Sequence, residues 1–245
     1  MKGATPQGAR SEREAAEWVR AMFGRVAHRY DLANHLLSFN IDRYWRAHTV
    51  ARVHHMLARP AARVLDICCG TGDLVRALQR GRPAGAPGSK VMGSDFCHPM
   101  LVAACAKLGG NPLFEADALR LPLADASLDL ITVAFGFRNL ANYEAGLREM
   151  RRVLRSGGLA AILEFSQPPN PLFGALYSFY SRHVLPVIGG ALSGSRDAYT
   201  YLPESVRKFP APEELTEKMR AAGFGSVEFE RLTGGIVALH LGSAP

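Results

Sequence analysis

Cysteine is scarce in this chain and is not spaced for structural use. Four occur in 245 residues (Cys68, Cys69, Cys97 and Cys105), none in the C-x-x-C spacing of a zinc site. The expectation is free thiols in a reducing compartment, with no disulfide framework and no metal centre. Long hydrophobic runs are missing too. No stretch reaches the roughly eighteen uncharged apolar residues that a membrane-spanning helix requires. Met1 to Arg20 is polar and charged, without the apolar segment of a secretory signal. A cytoplasmic protein is therefore expected. Acidic residues are outnumbered, 22 against 29 Lys and Arg, for a formal net charge of +7. The excess is mostly scattered arginine, with no basic and aromatic interleaving, so nucleic acid is not an expected partner. What is plentiful is apolar side chain, 48% of the sequence, enough for one sizeable core.

The most informative stretch is Arg63-Val64-Leu65-Asp66-Ile67-Cys68-Cys69-Gly70-Thr71-Gly72-Asp73-Leu74, an apolar strand entering a glycine-bracketed turn and then a helix to Arg80. Such a turn after the first strand of a doubly wound sheet is where nucleotide-like ligands sit. The dinucleotide fingerprint would place a third glycine at position 75, which is Val75. With Asp66 before the turn, the pattern instead resembles motif I of the S-adenosylmethionine-dependent methyltransferases. Lys90 to Asp95 reads as a second strand ending in a carboxylate, at about the twenty-residue spacing of a ribose-binding acid. Its two oxygens can accept from both ribose hydroxyls. Pro112 to Ala118 is a third short run, closing on Asp117. In methyltransferases the acid after the third strand commonly lies near the adenine amino group. Three acids closing three successive strands strengthen the cofactor reading well beyond motif I alone.

The coarse organisation is α/β. Residues 1–10 are predicted to be a disordered tail, and 11–245 one domain. Residues 11–60 read as a helical cap, with Trp18, Met22 and Val26 at helical spacing. A cofactor-binding core spans 63–167. Within it Leu128 to Phe135 is a near-continuous apolar run, as a central parallel strand should be. Ser156-Gly157-Gly158 is expected to stop the helix over Tyr143–Leu154, and Leu159–Phe165 to form the fifth strand. Residues 168–210 break the alternation and read as a lid insertion, with Phe173–Ile188 as core or lid packing. Residues 211–242 complete the core with a helix and a closing strand pair. The expected fold is a Rossmann-like, mostly parallel seven-stranded sheet with helices on both faces.

Further segments resemble one family, the ubiquinone/menaquinone biosynthesis C-methyltransferases. They include Phe23-Gly24-Arg25-Val26-Ala27-His28-Arg29-Tyr30-Asp31, Trp45-Arg46, Phe135-Gly136-Phe137-Arg138-Asn139, Glu164-Phe165-Ser166, Tyr201-Leu202-Pro203-Glu204-Ser205-Val206 and Thr233 to His240. The resemblance covers nearly everything from Met22 to Gly242. It implies S-adenosylmethionine-dependent methylation of a ring carbon in a polyprenylated quinol, with demethylmenaquinol becoming menaquinol. Carried over by position, Thr71, Asp95, Asp117 and Ala118 would contact the cofactor, alongside Asp66, Gly70 and Gly72 of the turn. The serine often found before Phe-Gly in this family is Ala134 here, so a hydroxyl contact is missing or passes to backbone. A bilayer-soluble substrate and a positive charge together imply peripheral contact with the inner face of the cytoplasmic membrane. A homodimer is compatible with the sequence.

The sulfonium methyl is already activated, so the enzyme must position the ring carbon, raise its nucleophilicity and remove the ring proton. Arg138 and Asn139 follow the fourth strand, at the sheet edge where the acceptor should lie. Arginine is a poor general base, so Arg138 is assigned to a developing phenolate or to orienting a water, with Asn139 beside it. Tyr30 and Asp31 are second catalytic candidates, closing from the cap. His28, His35 and His183 lie in matching segments and are expected to be structural. Three other readings stay open. One is a methyltransferase of another small-molecule or lipid acceptor, which would not need Phe-Gly-Phe-Arg-Asn. Another is a non-enzymatic cofactor-binding scaffold in a quinone-biosynthesis assembly. The third, a nucleotide-binding oxidoreductase, is disfavoured by Val75.

Overall fold

In the computed structural model, which describes residues 3–6, 8–27, 38–83, 90–184, 187 and 196–245, seven strands build one sheet. They are β1 (Val64–Ile67), β2 (Met92–Asp95), β3 (Leu113–Glu115), β4 (Leu128–Ala134), β5 (Leu154–Phe165), β6 (Val227–Leu232) and β7 (Val237–Ser243). Their order is β3-β2-β1-β4-β5-β7-β6. β7 runs antiparallel to β5 and β6, and the β3–β5 block is parallel throughout. The order reverses between β1 and β4, and at such a switch point the loops leaving the carboxyl ends splay apart into a crevice.

Burial explains the strands. β1 is buried at all four positions and β4 at six of seven, because helices cover both faces. Alternate residues feed two cores. Leu65, Ile67, Ile131 and Ile162 point to one side, joining Leu147, Met150 and Val153 of α5 (Tyr143–Val153). Val64, Leu130, Ala161 and Leu163 point to the other, joining Leu74, Val75 and Leu78 of α3 (Asp73–Gly81). α5 starts at Asn142, whose side chain accepts from the Ala145 N–H at 3.0 Å.

The amino-terminal segment differs from a uniform cap. α1 (Glu12–Val26) packs on α4 (His98–Leu108) and on α7 (Arg196–Lys208), burying Val19, Met22 and Val26. α2 (Ile41–Leu57) instead belongs to the sheet, with Trp45, Val53, Met56 and Leu57 in the second core. A pattern of apolar positions cannot show which body a helix packs against. The tail differs as well: Ala4 is buried, its N–H donates to the Leu140 carbonyl at 2.8 Å, and Lys208 donates to Thr5 O at 3.0 Å. Ser156-Gly157-Gly158 does not end the helix. α5 stops at Val153, and these residues form a bulge inside β5, where pairing jumps from Leu128↔Leu154 to Leu130↔Leu159.

After β5 come α6 (Pro171–Phe179), a π turn (Tyr180–Val184), α7 and α8 (Pro212–Ala221). α6 has no buried residue, and Leu172, Leu176 and Phe179 are 82%, 66% and 61% exposed. The packing role expected for this aromatic stretch therefore fails on its outer face. Among the described residues no helix is long and apolar enough to cross a membrane.

Candidate active site

A cavity of about 400 Å³ opens at the carboxyl ends of β1, β2 and β4, and α1, α2, α7 and the π turn close it. Its first wall is the β1–α3 turn. Gly70 (φ 54) and Gly72 (φ 85) both take the left-handed conformation. At Gly72 a Cβ would also come within 2.5 Å of Leu108, so this position combines strain with contact. The turn is tied down from the neighbouring strand: Gly70 N–H donates to Asp95 Oδ2 at 2.8 Å, while Cys97 N–H donates to Asp95 Oδ1 at 2.9 Å. Asp95 therefore holds the loop as well as facing the cavity. Thr71 is buried, accepts from Lys107 Nζ at 3.1 Å, and sits beside the Lys107–Asp73 pair at 2.7 Å.

Asp66 stands one residue before the end of β1, buried, and accepts from Thr132 Oγ1 at 2.6 Å. Burial pushes its carboxyl up to about 7, although the Thr132 bond and Arg46 pull the other way. Burial also raises the Asp95 carboxyl, against its bonds from the Cys97 and Gly70 N–H groups. Asp117 follows β3, with Oδ1 accepting from Leu119 N–H at 2.9 Å, and Ala118 is buried next to it. Ala134 ends β4 on the cavity wall. All eight cofactor candidates except Gly72 line this one cavity, and Gly72 shapes it as the first residue before α3. The thiols of Cys68 and Cys69 are pushed well up by burial and nearby carboxylates, so neither serves as a nucleophile near neutral pH.

The adjoining wall is the turn after β4, the strand paired with β1. Gly136 approaches Cys68 so closely that a Cβ would sit 2.5 Å from the Cys68 Cβ. Arg138 and Asn139 follow in a 3-10 turn, both buried and both on the wall. The Arg138 guanidinium is engaged: Nη1 meets Glu164 Oε1 at 2.9 Å and also donates to the Phe135 carbonyl, and Nε donates to Ser205 Oγ at 3.3 Å. Its central carbon, Cζ, lies over the Phe165 ring, 5.3 Å from the ring centroid. Glu164 additionally accepts from the Arg138 and Phe165 N–H groups. A carboxylate at the end of an apolar strand was a signal for this partner, and sequence reading alone did not use it. Trp45, Phe135 and Phe165 form an aromatic corner with centroids 4.7 to 6.1 Å apart. Tyr30 and Asp31, with His28 and His35, lie outside the described residues.

The donor set fits the implied cofactor. Asp42, Asp66, Asp73, Asp95 and Asp117 all line the cavity, against Arg46 and Arg138. An acid-rich, partly apolar pocket favours a ligand with an aromatic base, hydroxyls and cationic groups. Among the described residues no group of three or more His, Cys, Asp or Glu side chains could hold a metal ion.

A parallel sheet with one antiparallel strand next to its edge, and a glycine-turn cavity at its switch point, defines the methyltransferase class of Rossmann-like folds. Solved structures agree. A S-adenosylmethionine-dependent methyltransferase from Thermotoga maritima aligns over 92% of this chain and 99% of its own, with TM-score 0.64 and 18% identity. The [4+2]-cyclase SpnF aligns over 98% and 99%, with TM-score 0.66 and 16% identity, so the fold alone does not decide the reaction. Sequence narrows it: residues 9–244 match the ubiE/COQ5 methyltransferase family, and the chain belongs to that family. The demethylmenaquinone methyltransferase of Thermus thermophilus is 48% identical over 228 residues, covering 91% of this chain and all of that protein. The demethylmenaquinone methyltransferase of Deinococcus radiodurans is 46% identical, covering 94% of each. The UbiE C-methyltransferase of Syntrophotalea carbinolica is 46% identical, covering 91% and 93%.

Proposed function

We propose that this methyltransferase moves a methyl group from S-adenosylmethionine to a ring carbon of a polyprenylated quinol, demethylmenaquinol being the acceptor favoured by its relatives' names. The observation that carries the reading is the single cavity that joins the acid-terminated loops of β1–β3 to the Arg138–Asn139 turn and the aromatic corner. The Gly70–Gly72 turn, Thr71, Asp95, Asp117 and Ala118 would hold the cofactor, whose sulfonium supplies an activated methyl. This chain's residues then position the acceptor ring and exclude water. Asp66 and the other acids complement the cofactor's positive charge. Arg138, oriented by Glu164, places a fixed positive field where phenolate character develops. Incubation with methyl-labelled S-adenosylmethionine and extracted quinols tests the reading: label on the naphthoquinol ring supports it, and label on a lipid amine or none at all refutes it.

Membrane contact is part of the same proposal. Leu172, Leu176 and Phe179 recur at helical spacing on the outer face of α6, and Tyr177 of the same helix lines the cavity. No Asp or Glu occurs between Phe165 and Arg196, while Arg182 and His183 are exposed. An apolar stripe without acids beside the cavity suits an anionic bilayer from which a lipid-soluble acceptor is taken.

A further inference from the structure

Two buried polar side chains on the cavity wall have no hydrogen-bond partner among the described residues. Neither Oδ1 nor Nδ2 of Asn139 has a hydrogen-bond partner among the described residues, and neither does the hydroxyl of Tyr201. They are only 9% and 6% exposed, and both line the cavity. The other buried side-chain atoms without a hydrogen bond belong to Arg82, Ser94, Asp129 and His240, none of which lines it. A desolvated donor or acceptor without a partner is costly, and native proteins leave few of them. Two such side chains lining one cavity call for a ligand that supplies the missing bonds.

Different elements deliver the two groups. Asn139 closes the turn after β4, and Tyr201 lies on α7. Ser205, one helical turn beyond Tyr201, accepts from Arg138, so this face of α7 is docked on the turn that carries Asn139. The Tyr201 ring is gripped by apolar contacts: Trp18 lies 5.0 Å away, and Val19 and Met22 share its cluster. Phenylalanine would satisfy those contacts equally, so packing does not account for the hydroxyl. Burial lifts that hydroxyl to about 12, with Arg138 opposing in part, which leaves it a neutral donor near pH 7.

We infer that Tyr201 and Asn139 form an oxygen-recognition subsite for the acceptor ring. The Tyr201 hydroxyl donates to a ring oxygen of the bound aromatic diol, and the Asn139 amide accepts that oxygen's own hydrogen through Oδ1. As the ring oxygen gains phenolate character the Tyr201 bond strengthens, so it acts in the transition state as well as in binding. The inference rests on the quinol reading above and adds a residue that the turn after β4 does not contain.

Tyr201→Phe keeps the ring and removes only the hydroxyl. The thermal midpoint of the variant without ligands should equal or exceed that of the parent, because the deleted group has no hydrogen-bond partner among the described residues. Titration with 1,4-dihydroxynaphthalene should show about tenfold weaker binding in the variant, with naphthalene bound equally by both proteins. Its kcat/KM for the quinol should fall about 10- to 100-fold while S-adenosylmethionine affinity stays within about twofold. Equal affinity for the diol in both proteins would overturn the subsite, as would a lowered midpoint with unchanged preference for diol over naphthalene. A parent that methylates no quinol, yet loses its diol preference in Tyr201→Phe, would retain the subsite and reject the quinol reading.

Discussion

Replacing Asp66 with Asn should stabilise the protein at alkaline pH and do nothing of the kind in acid. Asp66 is buried, and its carboxyl stands at about 7 instead of 3.8, chiefly through desolvation. Below about pH 4 the acid is protonated in both native and unfolded chains, and it contributes no pH dependence. Between about pH 4 and 7 the unfolded chain releases the proton that the native chain retains. The native state then binds more protons, so stability falls as pH rises. Above about 7 both forms are ionised and the whole penalty is present. At about 1.4 kcal/mol per pH unit, the rise from 3.8 to about 7 amounts to roughly 4 kcal/mol. Asn keeps an acceptor for Thr132 but brings two amide hydrogens into a dry site, which costs back about 2 kcal/mol. The net gain of about 2 kcal/mol should raise the thermal midpoint of Asp66→Asn by about 4–8 °C at pH 8. At pH 4 the gain should vanish or reverse. Calorimetric scans of both proteins without ligands, from pH 4 to 8, measure the difference. Parallel curves across that range would show that Asp66 is ionised normally and refute the burial argument. The same shift predicts that binding a cationic cofactor near pH 6 takes up the ionised form and releases a proton, visible as a buffer-dependent binding enthalpy.

Three further outcomes are expected. Asp95→Ala should weaken S-adenosylmethionine binding by about 1–3 kcal/mol, since it removes both the proposed ribose acceptor and the anchor of the Gly70 loop; calorimetry showing parental affinity in a folded variant would remove Asp95 from the site. Arg138→Ala should lower kcat by about a hundredfold or more and also destabilise by about 3–5 kcal/mol, because Glu164 is left buried and unpaired. In the Arg138→Met, Glu164→Leu double variant the midpoint should return towards that of the parent while kcat does not; recovery of both would make Arg138 purely structural. Sedimentation with anionic vesicles should pull down the protein in a salt-sensitive way and fail for Leu172→Asp with Leu176→Asp, whereas unchanged binding of that variant would place membrane contact elsewhere.

Much of the architecture could be read along the chain because it follows from periodicity and local chemistry. The near-continuous apolar run Leu128–Phe135 announced a strand covered on both faces, and β4 over Leu128–Ala134 is one. Gly70 and Gly72 flagged the left-handed turn before α3, and the acids Asp66, Asp95 and Asp117 all reach the cavity from three successive strands. These features depend on neighbours within a few residues or on the constant geometry of a strand–turn–helix unit. The family likewise lay in contiguous motifs.

What sequence could not determine depends on residues far apart in the chain. The Arg138–Glu164 pair joins two strand ends 26 positions apart, and only the adjacency of β4 and β5 shows that the guanidinium is already engaged. Val53, Met56 and Leu57 have a helical pattern that would suit a cap, yet packing places them under the sheet. The tail lacks apolar periodicity, but Ala4 bonds to Leu140 across the fold. Leu172, Leu176 and Phe179 look the same in sequence whether they face a core or solvent, and the described neighbours leave them outside. The Tyr201 hydroxyl is conspicuous only after a complete accounting of partners around it, because an unmade hydrogen bond is a property of the surroundings and not of the residue. Composition and pattern thus determined the strands, the turn and the family. Tertiary structure alone decided which polar groups are spent on the protein itself and which remain for a ligand.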